Sequence, residues 1–183
     1  MQGDRSMKLS IHDLTQNSEP LDSLVTHLEK DDVDISQDYQ RGLVWTGEQK
    51  VNLIRSVLMG IPIGNLIVND RHLARNYASV FGTAKGFSLI DGKQRLTALA
   101  EFMQDGFAVP GAWFDAADVN GDWDGVSDVL FSQFSPVMRR YVVNTTIGVS
   151  HCHLGSVEEE RGLYLQVNTG GTAHTEEELN QAR

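Results

Sequence analysis

Apolar positions along the chain follow two alternating rhythms. Leu21, Leu24, Val25 and Leu28 fall on one face at helical spacing, behind Ser18 and Pro20, residues that suit a helix start. Val51, Ile54, Val57 and Leu58 repeat the pattern behind Thr46 and Gln49, a capping-box pair, and Gly60 stops it. Leu96, Leu99, Ala100 and Met103 form a third stripe. Residues 156–167 predict a fourth helix, started by the capping pair Ser156 and Glu159, and Thr175 with Glu178 opens a last one. Between these stripes, residues 9–14, 33–35, 66–68, 87–90 and 141–149 read as strands. Residues 71–85 read as a loop or ribbon, 105–128 as a long surface segment rich in Gly, Asp and aromatics, and 131–138 as a short helix or turn. This interleaving predicts an α+β domain.

Length and composition narrow the picture. A chain of 183 residues, 40% hydrophobic and 22% charged, suits one globular domain. Residues 8–183 are expected to form it, with residues 1–7 as a disordered tail. No apolar run approaches the roughly 20 residues that cross a membrane. Asp4, Arg5 and Lys8 occupy the place of a signal peptide's apolar region. A cytoplasmic location is expected, and the single Cys152 excludes an internal disulfide.

Charge argues against general DNA binding. Fifteen Lys+Arg stand against 25 Asp+Glu, a net charge of −10 that repels nucleic acid. Any DNA contact must be local, through a band that includes Arg41, Arg55, Arg71, Arg75, Lys85, Lys93 and Arg95. The acidic runs 158–160 and 176–178 read as carboxylates stabilising helix N-termini.

The candidate chemistry sits at Asp91-Gly92-Lys93-Gln94-Arg95, between the run 87–90 and the third stripe. The strand ends here and a helix begins near Gly92, so unpaired backbone N–H groups and the positive end of the helix face the turn. Gly92 permits close backbone approach, Lys93 and Arg95 add positive charge, and the planar fork of Arg95 suits a phosphate. Asp91 does not fit simple phosphate binding; it suits a metal ligand, a base or an acceptor for a ribose hydroxyl. As a helix cap it would be ordinary, but that leaves two cations at the unfavourable end of a helix dipole unexplained.

Four motifs in order carry a family resemblance: Tyr39-Gln40-Arg41 with Trp45; Gly60-Ile61-Pro62-Ile63; residues 90–99 around the Asp91 turn; and Asn168-Thr169-Gly170-Gly171 followed by Glu178-Leu179. Together they resemble the ParB/sulfiredoxin-like domain at the N-terminus of GmrSD-type, modification-dependent restriction enzymes and related phage-defence proteins. The resemblance implies a small mixed sheet with packed helices and a domain that binds and hydrolyses nucleoside triphosphates, with nuclease activity in some relatives. Asp91, Gln94 and Arg95 would form the centre, Gln40 and Arg41 a second wall, and Asn168, Gly170 and Gly171 a third. From the chemistry of the turn itself, Gly92 and Lys93 would touch phosphate, and Mg2+ or another divalent cation would bind at Asp91. The family usually reads Asp-Gly-Gln-Gln-Arg, so Lys93 adds a cation where a glutamine is the rule. The chain lacks a Walker-type phosphate loop and the His-Asn-His nuclease segment of such enzymes.

Three functions follow as expectations. The first is a nucleoside triphosphatase; the second uses the same residues to nick DNA with a divalent metal. The third is a non-catalytic module that binds nucleotide or a separate nuclease or defence protein, in the host cytoplasm if the chain is phage-encoded. Two lesser constellations point to metals. His151 and His153 would share a strand face but lack further ligands, and Asn120, Asp122, Asp124 and Gly125 match a calcium loop only until Phe131 stands where a glutamate is required.

Overall fold

The computed structural model describes residues 14–40, 42–73, 85–121 and 123–169. The expected tail at 1–7, almost all of the expected strand at 9–14 and the capping pair Thr175 and Glu178 lie outside them. The described chain is the expected α+β arrangement: five strands form one mixed sheet and helices cover both of its faces.

The strands are β1 (Thr15–Pro20), β2 (Val33–Asp34), β3 (Leu66–Asp70), β4 (Phe87–Asp91) and β5 (Thr146–Cys152), in spatial order β1-β5-β3-β4-β2. β5 runs antiparallel to β1 and parallel to β3, while β4 runs antiparallel to β3 and parallel to β2. A register shift between Ile67 and Val68 pairs Ile67 with Asp91. Such an irregularity bends a strand end and turns its side chains. The centre of the sheet therefore delivers Asp91 at an exit point from β4.

The helices are α1 (Leu21–Glu29), α2 (Gly47–Leu58), α3 (Lys93–Met103), α4 (Pro136–Asn144) and α5 (Val157–Thr169). Thr46 and Gln49 form the predicted capping box on α2. Pro20 stands at the start of α1, but Ser18 pairs with Gly148 inside β1 and does not cap it. At α5 only half of the second box forms: Ser156 Oγ accepts from the Glu159 N–H, and the Glu159 carboxylate turns to the Gly155 N–H.

Alternation of side chains across the strands splits the core. Leu66, Val68, Leu89 and Val149 face α1 and α3, whereas Ile90, Cys152 and Ile67 face α5 with Leu163. A larger cluster joins α1 to α4 through Ile54, Leu99, Phe102, Phe134 and Val142. Two expectations are corrected here. Residues 105–128 are not only a surface segment, because Val109, Phe114 and Val119 enter this cluster and Phe114 packs on Phe134 with ring centroids 5.0 Å apart. Residues 141–149 are not one strand. Ser135 caps the Met138 N–H and Pro136 stands in the first turn, so helix α4 takes Tyr141-Val142-Val143 despite their β preference, and the strand begins only at Thr146.

Candidate functional site

Asp91 ends β4, Gly92 turns the chain at φ +100°, and α3 starts at Lys93. Gly92 is required twice over: its φ is left-handed, and a Cβ there would lie 2.2 Å from Leu66 Cδ2. Helix geometry leaves the N–H groups of Lys93, Gln94 and Arg95 without intrahelical acceptors. Asp91 does not cap α3; the position is held by Gly92, and no side chain caps it.

Arg95 is already engaged. Its Nη2 donates to Asp91 Oδ2 at 2.7 Å, and its Nη1 donates to the Ile63 carbonyl at 2.8 Å. The guanidinium thus ties the turn to the loop between α2 and β3, where a Cβ on Gly64, at φ +82°, would lie 2.8 Å from Arg95 Nη1. Asp91 Oδ1 has no side-chain partner among the described residues, and Lys93 forms no hydrogen bond or ion pair with any of them.

Gln40 and Gln94 hold a strap of chain against this turn. Gln40 Nε2 donates to the Leu89 and Ile90 carbonyls at the end of β4, and its Oε1 is buried with no partner. Gln94 Nε2 donates to the Gly42 carbonyl at 2.7 Å, while its Oε1 accepts from the Val44 and Trp45 N–H groups at 3.2 and 3.3 Å. Arg41 lies outside the described residues, but both of its chain neighbours are bound to the strand-to-helix turn. Trp45 packs against the core. Asn168, in the last turn of α5, is exposed and donates to the Tyr164 carbonyl of its own helix; Gly170 and Gly171 lie outside the described residues. The structure therefore brings Gln40, Asp91, Gly92, Gln94 and Arg95 together, and no described contact joins Asn168 to them.

A second polar constellation escaped the sequence reading. Glu160 is fully buried, and its carboxylate accepts Arg71 Nε and Nη2 at 2.7 Å each, Asn69 Nδ2 at 2.8 Å, and the Tyr39 and Ser88 hydroxyls at 3.2 Å each. Arg71 Nη1 also donates to Asp34 Oδ2 at 3.0 Å. This two-pronged pair compensates charges that burial alone would make very costly. Burial opposes ionisation of Asp34, yet hydrogen bonds from Ser36 and Arg71, with the Arg71 charge, hold its carboxyl below the usual range. Burial, then the nearby Glu160 charge, pushes the Tyr39 hydroxyl upward. Burial drives the Cys152 thiol up to about 12. The signal was the third glutamate of the run 158–160, which falls on the inward face of α5 while its two neighbours stay exposed.

Glu160 lies in the first turn of α5 with Glu158 and Glu159, as expected, but is buried and paired with Arg71 as well. One sequence reading changes accordingly: Arg71 is unavailable to a surface band because its side chain is only 3% exposed. Of the other band members, Lys85 pairs with Asp31, Arg95 with Asp91, Arg55 lies over the Trp113 ring, and Arg75 is outside the described residues. His151 bonds Glu19 at 2.9 Å and His153 follows the end of β5. Asp124 folds back on the N–H groups of Val126 and Ser127 and on the Ser127 hydroxyl, bonds that bring its carboxyl down to about 2. Among the described residues no three His, Cys, Asp or Glu side chains gather in a metal-binding group, and no helix is long and apolar enough to cross a membrane.

No curated protein and no solved structure gives a significant match to the chain. The family model described as GmrSD restriction endonuclease, N-terminal domain, matches residues 24–183, a span holding the strap, the Asp91 turn and the Glu160 network. Such a match over most of the sequence sets the protein in the context of DNA restriction and phage defence, and the chain belongs to the family of GmrSD restriction endonuclease N-terminal domains.

Proposed function

We propose that the domain binds and hydrolyses a nucleoside triphosphate at the Asp91 turn. The observation that supports this most is the coincidence, at one β4-to-α3 turn, of a left-handed glycine, helix N–H groups without intrahelical acceptors, and a Lys93 and an Asp91 oxygen that have no side-chain partner among the described residues. Lys93 and the α3 N–H groups would hold the terminal phosphates. Arg95 orients Asp91, and it fixes the Ile63 loop as the floor. Gln94 and Gln40 act as positioning residues that hold the strap against the turn; Arg41 would clamp phosphate, and Asn168, Gly170 and Gly171 would close the third side.

In the reaction a water oxygen adds to the γ-phosphorus and the bond to the β-phosphate oxygen breaks, leaving a nucleoside diphosphate and orthophosphate. Asp91 Oδ1 orients that water and accepts its hydrogen bond. One carboxylate is a sparse metal site by itself but suffices for Mg2+, which takes most of its remaining oxygens from phosphates and water. When bound, the ion would neutralise charge on the β- and γ-phosphates.

Release of orthophosphate from each of the four ribonucleoside triphosphates with Mg2+ tests the reading. Asp91→Ala is expected to lower turnover at least 100-fold in a folded protein, and unchanged turnover removes Asp91 from the chemistry. Nucleotide binding without release supports the non-catalytic reading, which the prior engagement of Arg95 by Asp91 and Ile63 favours. Nicking of supercoiled plasmid that a chelator abolishes supports the nuclease reading instead.

A further inference from the structure

The second core cluster borders a cavity that is partly open to solvent. Between the sheet and helices α1 and α3 lies a cavity of about 110 Å³, walled by Leu24, Leu66, Val68, Leu89, Leu96 and Val149. A closed apolar cavity of about 150 Å³ admits benzene, so this one, which opens to solvent, has the scale of a single ring. Its mouth is polar: Glu19, His27 and His151 stand there beside the edge of Phe87. Glu19 pairs in register with Ile147 and His151 with Thr15, so the 2.9 Å bond between their side chains spans the Val149 position. His27 Nδ1 lies 3.5 Å from Asp32 Oδ2 but is buried without a hydrogen bond.

We propose that this cavity binds a small single-ring heteroaromatic amine. The apolar walls take the ring, and the Glu19 carboxylate accepts from the amine and from the N–H of the adjacent ring nitrogen in its protonated form, replacing His151 as its donor. A purely apolar ligand leaves that carboxylate without gain, and an anion is repelled by it. The mouth lies at the Phe87 end of β4, about 13 Å along the strand from Asp91, so the cavity is separate from the nucleotide site. Its inner wall nevertheless reaches that site, because Leu66 packs directly beneath Gly92. An occupant that displaces Leu66 acts on the turn from below, as an effector would.

Methyl and amide NMR titration of the protein with 2-aminopyridine tests this, with toluene as the apolar control. The expected result is saturable shifts of the Leu24, Leu66 and Val149 methyls and of the Gly92 amide. Glu19→Gln should weaken binding at least fivefold, and the cavity-filling Leu24→Phe should abolish it. Absence of saturable shifts overturns the proposal, as does unchanged affinity in Glu19→Gln, which decides the matter alone if Leu24→Phe does not fold. Toluene binding as tightly as 2-aminopyridine overturns the ligand class.

Discussion

Gly92 and Lys93 are adjacent, and their substitutions separate stability from binding. Gly92→Ala introduces a Cβ at a left-handed φ and within 2.2 Å of Leu66, so it should cost about 2–4 kcal/mol in chemical denaturation. Gly42→Ala, where a new Cβ meets nothing within 4 Å, is the matched control and should shift stability by less than about 0.5 kcal/mol. Lys93→Ala should leave stability similarly unchanged, because the side chain has no described partner, while lowering nucleotide affinity about tenfold in calorimetry. At this scale the sequence was informative for the turn, since the Asp-Gly-Lys-Gln-Arg order and the flanking apolar rhythms locate a strand, a glycine and a helix start. It was silent on the bonds. That Arg95 faces Asp91 four residues earlier, and that Gln94 reaches back about fifty residues to the strap, depends on the Gly60–Asn65 loop and the segment around Gly42 folding over the turn.

The elements owe their positions to long-range polar joints as much as to apolar faces. Helix α5 is joined to β3, β4 and the strap through Glu160, and removing that carboxylate takes two hydrogen bonds and a counter-charge from the buried Arg71 guanidinium. Glu160→Ala should therefore cost about 3–5 kcal/mol in urea denaturation. Paired replacement by Glu160→Leu and Arg71→Met should recover most of that loss, since apolar residues of similar volume often substitute for a buried ion pair without penalty. Sequence periodicity identified α1, α2, α3 and α5 because each carries an apolar face or a cap. It failed at α4, where three β-branched or aromatic residues in succession outweighed the Ser135 cap, and in residues 105–128, where the buried Val109, Phe114 and Val119 are too widely spaced to show a period. The Glu160 joint was legible only in part: helical spacing puts Glu160 on the face of Leu163, Tyr164 and Val167, but nothing local names Arg71 as its partner 89 residues away.

For the whole molecule, acid should expose these joints. Asp34 titrates below its ordinary value of 3.8 in the folded protein, so the unfolded chain takes up its proton first as pH falls. The stability it contributes is complete above about pH 4 and lost as pH drops through the lower, folded value. Urea midpoints below about pH 4 should thus fall less steeply for Asp34→Asn than for the native protein. A net charge of −10 adds a general repulsion that low salt sharpens at neutral pH. The Glu160 joint also governs how the chain can be made. Arg71 and its carboxylate are 89 residues apart, which at 5–20 residues per second means roughly 4–18 s of synthesis between them. During that interval the emerging N-terminal half holds the Arg71 guanidinium with Asp34 but without the Glu160 carboxylate, so the side of β3 and β4 that α5 will cover still lacks that counter-charge. A chain that ends before Glu160 should therefore be less stable than the full domain, and limited proteolysis of such a truncation should show faster cleavage.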